Sequence, residues 1–231
     1  VRSEQNAAHM ASGYARASGR PGVCVATSGP GATNLITGIA TAYMDSIPIV
    51  AITGQVNLEQ LGRDVFQEAD ITGACESFTK HSYLVKSAED LPRVFKEAFH
   101  IASTGRPGPV LIDVPEDVQE ALAESFHYPE AADIPGYKPK TAGHPLQVKR
   151  ALEAISQAKR PVICCGGGVV LSGAREEMTA FAQKSGIPIV STMMGIGVMP
   201  MDSPVYLGMI GKFGRSYANR AIGEADLIVL C

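Results

Sequence analysis

The feature that most constrains the fold is a series of short apolar segments that alternate with helical patterns. The apolar segments are rich in β-branched residues, are bounded by glycine and proline, and lack strict polar alternation. Continuous apolar runs of this length are typical of strands buried on both faces, as in parallel sheets. The predicted strands cover residues 22–29, 47–54, 81–87, 108–115, 160–168, 187–195 and 225–231.

Helical patterns occupy the intervals between these predicted strands. Strands that alternate with helices form βαβ units with right-handed crossovers. The sequence therefore predicts an α/β fold in which parallel sheets carry helices on both faces. The predicted helices cover about 4–18, 31–44, 88–103, 145–158, 174–185 and 214–223.

A change of composition at residues 124–144 divides the chain. This segment is rich in proline and polar residues and lacks hydrophobic periodicity, which indicates an interdomain linker. We expect two consecutive α/β domains, at residues 1–123 and 145–231. We also expect the chain to be an interior piece of a longer polypeptide, because natural domains rarely end on an uncapped buried strand.

The composition argues against several classes of protein. A net charge of −3, with 19% charged residues and no tryptophan, gives no electrostatic or stacking case for nucleic acid or an anionic membrane. No apolar run approaches the roughly 20 residues that a membrane span needs. Five irregularly spaced cysteines indicate buried free thiols rather than a disulfide framework. Because CxxC and HExxH are absent, we expect no metal site made by this chain alone.

Two features near the N-terminus allow both a structural and a functional interpretation. Glu4 begins a predicted helix, where the helix dipole favours an acid, but it also stands at the sheet edge where open α/β folds bind ligands. The sequence TSGPGATN at residues 27–34 passes from a strand through a glycine turn into a helix. Such a turn suits either a phosphate cradle or a tight strand–helix connection, and it has no GxGxxG pattern or P-loop lysine.

Further candidates lie in connections between predicted elements. Phe66 and Gln67 occupy the polar segment DVFQEADI, where an aromatic residue would normally be buried for structural reasons. Arg106 stands between glycine and proline before a strand, so it is either a surface arginine or one directed at a phosphate or carboxylate. Glycine turns at 166–168 and 192–195 follow neighbouring strands, and together they predict a crevice that suits a nucleotide.

The run SEQNAAHMASGYARASGRPGVCVATSGPGATNLITGIATAYMDSIPIVAITGQV resembles the first domain of thiamin-diphosphate enzymes, and within them the acetolactate synthase (acetohydroxyacid synthase) large subunit. The segments FTKHSYLV, EDLPRVFKEAFHIASTGRPGPVLIDVPEDVQ and GMIGKFGRSYANRAI extend the match. The resemblance implies a pyrimidine-binding domain at 1–123 that lacks its first strand. It also implies a truncated, Rossmann-like, FAD-associated central domain at 145–231. The third domain, which would hold Mg²⁺ and the diphosphate, lies outside the chain.

The resemblance also implies an activity. Enzymes of this family decarboxylate pyruvate and join the two-carbon unit to pyruvate or 2-oxobutyrate, a step in branched-chain amino acid biosynthesis. It implies a cytoplasmic homodimer or tetramer, with a small regulatory subunit as a candidate partner and no nucleic acid or membrane partner. A chain without the third domain is expected to be inactive alone, because the family builds its active site between the first domain of one subunit and the third of another.

Individual residues take expected roles from the resemblance. Glu4 would bond N1′ of the cofactor's aminopyrimidine in a water-poor site where the proton affinity of a carboxylate can rise. Gln67 would approach the reaction centre beside the aromatic Phe66, and Lys80 would stand at the substrate entrance. Arg106 would contact FAD. The other expected FAD contacts are Gly166, Gly167, Gly168, Thr192, Met193, Ile210, Gly211, Lys212 and Phe213.

The chain departs from the family's usual residues in several places. The family usually has Met-His at Lys212-Phe213, and it usually has histidine at Ser3. It often has proline at Asn57 and lysine at Glu116. The Lys212-Phe213 pair keeps open a paralogous thiamin-diphosphate decarboxylase or lyase that acts on another 2-oxo acid. An alternative of a different class is a non-catalytic nucleotide-binding or regulatory module.

Overall fold

The structure is a computed structural model that describes residues 1–123 and 125–231. These residues form two compact units, Val1–Thr141 and Ala142–Cys231. The predicted linker begins at Glu124, which lies outside the described residues. Ile134 and Tyr137, further along that segment, pack against the hydrophobic core of the first unit, so this part of the segment lies on that unit's surface.

The first unit contains helices and strands in alternation. Its α-helices are α1 Glu4–Ser18, α2 Pro30–Asn34, α3 Ile36–Met44, α4 Ile71–Cys75, α5 Leu91–Ser103 and α6 Glu116–Glu120. Its strands are β1 Gly22–Ala26, β2 Ile49–Gln55, β3 His81–Leu84 and β4 Val110–Pro115. Short 3-10 helices cover Leu58–Gln60, Glu76–Phe78 and Ala88–Asp90.

The second unit repeats the same rhythm. Its α-helices are α7 Pro145–Gln157, α8 Gly167–Leu171, α9 Arg175–Ser185 and α10 Ser216–Glu224. Its strands are β5 Pro161–Cys165, β6 Ile189–Ser191, β7 Tyr206–Met209 and β8 Leu227–Leu230. A 3-10 helix covers Met193–Gly195.

The sheet of the first unit is parallel, with strand order β1-β2-β4-β3 and Val50 in register with Val110. Alternate residues of a strand point to opposite faces. On one face, Val110 and Ile112 of β4 pack in a core cluster with residues of α5. On the α1 side, the small residues Ala8 and Ala11 are buried. A Cβ at Gly38 of α3 would overlap the Ala8 side chain, so small residues permit close packing of α1 and α3.

The sheet of the second unit is also parallel, with strand order β7-β6-β5-β8. Its buried strand residues separate into two core clusters. Ile163 and Ile189 pack with Ala182 of α9, whereas Val162 and Val190 pack with residues of α10. Continuous apolar strands are therefore covered on both faces, as the sequence pattern predicted.

The predicted α/β class with parallel sheets is confirmed, and every predicted strand segment contains an observed strand. The sequence prediction missed β7, a short segment in which Gly208 adopts φ +89°. The helix predicted at 31–44 is divided at Leu35 into α2 and α3. In the described chain the cysteines are free thiols, and Cys231 is the exposed one. Within the same residues, no helix combines the length and apolar character needed to cross a membrane.

Candidate functional site

An open cleft of about 840 Å³ lies at the carboxyl edge of the first sheet. The ends of three neighbouring strands and the turns that follow them form its floor, which is where open α/β sheets bind ligands. Residues after β4 and from the start of α5 complete its walls. The residues that line it include Thr27, Ser28, Gly54, Gln55, Val56, Gln60, Phe66, Gln67, Leu91, Phe95, Val114, Glu116 and Gln119.

Glu4 lies next to this cleft, at the start of α1 and against the beginning of α2. Asn34 donates a hydrogen bond from Nδ2 to Oε2 of Glu4 over 3.0 Å. The other carboxylate oxygen, Oε1, lies 3.6 Å from the position that a Cβ at Gly31 would occupy. The half-buried Glu4 side chain therefore lies at the carboxyl edge of the sheet, where the sequence placed it.

The pKa of Glu4 is lowered from its ordinary value. Hydrogen bonding from its own backbone N–H is the main cause, and the bond from Asn34 adds to it. Both donors stabilise the ionised carboxylate. The surroundings of Glu4 within this chain thus favour its ionised form, and a raised proton affinity in a water-poor, cofactor-filled site stays a prediction.

Gln67 packs against the same glycine turn as Glu4. A Cβ at Gly29 would lie 2.8 Å from the Gln67 carbonyl oxygen and 2.9 Å from its Cα, so only glycine admits this contact. Gln67 itself adopts φ +61°, a left-handed conformation that costs energy for a residue with a side chain. Glu4 lies against Gly31 of this turn and Gln67 lies against Gly29, so the turn brings the two residues close together.

Phe66 stands at the rim of the cleft with 88% of its surface exposed. The interpretation of an aromatic residue buried for structural reasons is therefore wrong. Across the cleft, Leu91 and Phe95 are partly buried and form an apolar wall. The cleft combines apolar side chains with polar groups at strand ends, which is the usual composition of a small-molecule site.

Lys80 and Arg106 are not brought to this cleft. Each precedes a strand, so both lie at the amino edge of the parallel sheet, opposite to Glu4 and Gln67. The Lys80 ammonium donates to the carbonyls of Ile101 and Thr104 and, over 3.0 Å, to the hydroxyl of Tyr137. Its donors thus bond to the C-terminal end of α5 and to Tyr137, and the expected position of Lys80 at a substrate entrance stays a prediction.

Arg106 makes a different contact at that amino edge. Its Nε donates to the hydroxyl of Ser46 over 2.7 Å, in the loop that precedes β2. The side chain is exposed. Its guanidinium thus remains accessible to an anionic ligand, at a place separate from the Glu4 cleft.

The second unit brings its predicted residues to the carboxyl edge of its own sheet. Gly166–Gly168 follow β5, and Thr192 and Met193 follow β6. The Thr192 N–H donates to the Cys165 carbonyl over 2.9 Å, which places the two turns side by side. Met193 is 65% exposed beside them. The two predicted turns therefore lie side by side at this edge, and the crevice between them stays a prediction.

A third turn, Ile210–Phe213, follows β7 at the same edge. The Ile210 N–H donates to the carbonyl of Ser191, at the end of β6. Asn219 of α10 holds the turn through two bonds with Gly211, accepting from its N–H over 2.8 Å and donating to its carbonyl over 3.0 Å. Phe213 is 79% exposed, with Lys212 Nζ 5.6 Å from its ring centroid.

Asn34, Asn219 and Asp113 contribute to these sites and were not singled out from the sequence. Asn34 ends the motif TSGPGATN, yet its bond to Glu4 joins residues 30 positions apart. Asn219 lies in α10, and no local sequence pattern predicts its hydrogen bond to Gly211. Asp113 interrupts the apolar run VLIDVP of β4, and that interruption was a usable signal for a buried polar site.

Comparison with known families matches both units. Residues 1–74 match the profile described as "Thiamine pyrophosphate enzyme, N-terminal TPP binding domain". Residues 148–231 match the profile described as "Thiamine pyrophosphate enzyme, central domain". The two matches follow each other along the chain in the order that these descriptions name.

Curated relatives match 99% of the chain. A protein of Methanocaldococcus jannaschii named "Probable acetolactate synthase large subunit" is 54% identical over 231 residues, which cover 39% of that protein. The "Acetolactate synthase large subunit" of Corynebacterium glutamicum is 50% identical, with 36% of its length covered. The protein of the same name in Haemophilus influenzae is 48% identical, with 40% covered. The chain spans about two fifths of the length of these relatives. It belongs to the thiamine pyrophosphate enzyme family, of which it carries the N-terminal TPP-binding domain and the central domain.

Proposed function

We propose that the protein to which this chain belongs is a thiamin-diphosphate-dependent acetolactate synthase. It would decarboxylate pyruvate and transfer the two-carbon unit to a second 2-oxo acid, pyruvate or 2-oxobutyrate. The observation that carries the proposal is the position of Glu4 and Gln67 on one glycine turn at the carboxyl edge of the first sheet. Relatives named acetolactate synthase at about 50% identity support the choice within the family.

The residues around Glu4 fit an aminopyrimidine. The ionised carboxylate is a strong acceptor for a ring N–H, and Asn34 fixes one of its oxygens. When bound, thiamin diphosphate supplies a carbon nucleophile and an acceptor for the electrons released on decarboxylation. Glu4 would hold a proton at the ring nitrogen, and Gln67 would direct its side-chain amide toward the substrate. Phe66, exposed at the rim, would exclude water once the site is filled.

The carboxyl edge of the sheet in the second unit offers groups that fit a flavin nucleotide. Three turns at one sheet edge carry the polar residue Thr192 and the exposed side chains Met193 and Phe213. A ligand with an apolar ring and a polar chain needs both kinds of surface. Residues 166–168, Thr192 and the turn at 210–213 would hold FAD, and the exposed Arg106 of the first unit is a separate candidate to bind an anionic group. FAD binding is part of the proposal.

The remaining parts of the proposal concern regions outside the chain. Mg²⁺ and the diphosphate would bind to a further domain. We propose a cytoplasmic homodimer or tetramer in which that domain of another subunit completes the Glu4 cleft. The printed name "large subunit" of the relatives supports a small regulatory subunit as a partner.

The proposal is tested by Glu4→Gln in the full-length protein. Glutamine keeps the size and still accepts from Asn34, but it cannot exchange a proton at the ring nitrogen. Acetolactate formation from pyruvate, which should require added thiamin diphosphate, is expected to fall at least 100-fold, on the order of the contribution of one acid–base group. Glu76→Gln, at an exposed glutamate of the same unit, is the matched control and should keep full activity. Unchanged carboligation in Glu4→Gln would remove the assigned role.

One feature favours a second candidate within the family. The exposed pair Lys212-Phe213 stands at the proposed flavin turn where the family usually has Met-His. A paralogue that decarboxylates or cleaves another 2-oxo acid would form no acetolactate from pyruvate alone. Product analysis with pyruvate as the sole substrate separates the two candidates.

A further inference from the structure

We propose that Asp113 is a positioning residue that acts through Gln55 on the loop that carries Gln67. The inference rests on the proposed function, because the position of this loop matters to catalysis only if Gln67 serves the reaction. It concerns a polar cluster beneath the cleft, formed by Thr53 and Gln55 of β2 and by Asp113 of the neighbouring strand β4.

Asp113 is a carboxylate inside the sheet layer, with 1% of its surface exposed. Its Oδ1 accepts a hydrogen bond from the Thr53 hydroxyl over 2.6 Å, and its Oδ2 accepts from Gln55 Nε2 over 2.9 Å. These donors are neutral, so they offset only part of the cost of burying a charge. Burial raises the pKa of Asp113 to about 6. A buried carboxylate held in this way is not explained by its contribution to stability.

The effect of Asp113 is to select one orientation of the Gln55 amide. Gln55 Nε2 donates both to Asp113 and, over 2.7 Å, to the backbone carbonyl of Ala69, while its Oε1 accepts from the Val56 N–H over 2.9 Å. A flipped amide would bring Oε1 toward two acceptors, the Asp113 carboxylate and the Ala69 carbonyl. Asp113 therefore ensures that Gln55 presents a donor to Ala69.

Ala69 belongs to the loop in which Gln67 adopts its strained φ of +61°. A strained backbone persists only where surrounding contacts hold it. On one side the Glu68 carboxylate accepts from the N–H groups of Gly62 and Val65. On another side the Gln67 backbone packs on Gly29. The Gln55–Ala69 bond is the contact that links this loop to the sheet itself.

A matched pair of substitutions on β2 separates positioning from stability, in the full-length enzyme. Gln55→Leu removes the donor to Ala69, whereas Thr53→Val removes the other bond to Asp113 and leaves the Gln55–Ala69 bond in place. We expect Gln55→Leu to lower kcat about tenfold with little change in KM, and Thr53→Val to stay within threefold. Hydrogen exchange of the amides at 62–70 should rise in Gln55→Leu and not in Thr53→Val. Equal effects of the two variants on kcat and on exchange would overturn the proposal.

A second pair at Asp113 keeps the test valid if Gln55→Leu fails to fold. Asparagine at 113 can accept from Gln55 and donate to Thr53, so Asp113→Asn should retain kcat within threefold. Leucine offers no acceptor, so Asp113→Leu should lose about tenfold in kcat. The same loss in both variants would mean that the charge, and not the orientation of Gln55, is what matters.

The Gln67→Ala variant distinguishes failure of this inference from failure of the proposed function. If Gln55 acts through the loop, Gln55→Leu should cost less than threefold further in kcat when Gln67 is already alanine. If Gln55→Leu and Gln67→Ala instead lower kcat independently, so that their fold losses multiply, the positioning role is overturned and the proposed function still stands. Full kcat in Gln67→Ala would also overturn it, and the effect of Glu4→Gln would then decide the proposed function separately.

Discussion

Asn34 and Glu4 are joined by a hydrogen bond of 3.0 Å between Nδ2 and Oε2, and this bond connects the first turn of α1 to the last residue of α2. The bond orients the carboxylate that the proposed function places against a cofactor ring. It also lowers the pKa of Glu4 by stabilising the ionised form. The backbone N–H of Glu4 is the larger cause of the lowered pKa, and the Asn34 amide sets the direction of the carboxylate and adds to that lowering.

Asn34→Ala is predicted to change the pH dependence of catalysis. Loss of the donor destabilises the ionised form, so the pKa of Glu4 should rise toward its ordinary value. Activity that requires ionised Glu4 is lost as pH falls through that pKa, so the acid limb of the kcat/KM profile should move to higher pH. The profile is measured with pyruvate in the full-length enzyme.

Thr33→Ala is the matched control for that variant. Thr33 precedes Asn34 in the same helix, and its hydroxyl bonds to the Pro30 carbonyl rather than to Glu4. It should leave the profile in place. An acid limb that moves equally in both variants, or that moves to lower pH in Asn34→Ala, would contradict the prediction.

The sequence alone predicts the parallel sheet and the edge of it at which Glu4 and the SGPG turn lie. Continuous apolar runs located strands such as β2, and the parallel arrangement placed Glu4 and the SGPG turn at one edge. Strand β7 escaped prediction because Gly208 interrupts a short run. The Asn34–Glu4 bond could not be predicted, since it depends on how two helices pack and joins residues 30 positions apart.

The positions of Lys80 and Arg106 follow from the sequence pattern, but their expected roles do not. Each directly precedes a predicted strand, so the sequence pattern alone places both at the amino edge of a parallel sheet. Their expected roles come from the family resemblance and not from this pattern. Lys80 and Glu4 therefore lie at opposite edges of the sheet, because all of its strands run in the same direction.

Lys80→Met is predicted to affect stability more than catalysis. The Lys80 ammonium bonds to the Ile101 and Thr104 carbonyls and the Tyr137 hydroxyl, and it lies 5.5 Å from the Tyr137 ring centroid. Methionine retains the apolar stem but donates to none of these groups, so the Ile101 carbonyl loses its Lys80 donor while the Thr104 carbonyl keeps the Tyr137 hydroxyl. The free energy of unfolding should fall by about 2 kcal/mol, while kcat stays within twofold.

Denaturant unfolding and steady-state assays check this, with Lys86→Met as the control. Lys86 is an exposed lysine two residues beyond Leu84, the last residue of β3, and its loss should change neither quantity. A large fall in kcat for Lys80→Met at unchanged stability would restore the catalytic role that the resemblance implied.

Asp113→Asn is predicted to change how stability depends on pH. The folded-state pKa of about 6 lies above the ordinary 3.8, mainly because of burial and in small part because of Asp70, while Thr53 and Gln55 oppose the rise. The folded state therefore holds the Asp113 proton more tightly than the unfolded state. Stability from this group is greatest below about pH 4, declines as pH rises toward about 6 and is constant above it.

Denaturant unfolding of the wild type and Asp113→Asn between pH 4 and 7 checks that prediction. Asparagine does not titrate, so the wild type should lose about 3 kcal/mol relative to the variant over this range, at 1.36 kcal/mol per pKa unit. Cys75 also faces Asp113, but its pKa of about 11 keeps it neutral throughout. A difference that is constant with pH, or that grows in favour of the wild type, would contradict a raised pKa.

Asn219→Leu is predicted to weaken flavin binding without a comparable loss of fold. Asn219 makes paired hydrogen bonds with both backbone groups of Gly211, a residue at φ +98° in the turn Ile210–Phe213. Leucine is similar in size but offers neither a donor nor an acceptor, so the turn is free to leave the conformation that faces the proposed FAD site. Titration of the full-length protein with FAD, followed by flavin fluorescence, should show a dissociation constant at least tenfold higher.

Arg220→Ala, which breaks an exposed ion pair with Glu224 on the same helix, should leave the constant within twofold. Equal weakening in both variants would trace the effect to α10 as a whole, and an unchanged constant in Asn219→Leu would show that this turn does not contact the flavin.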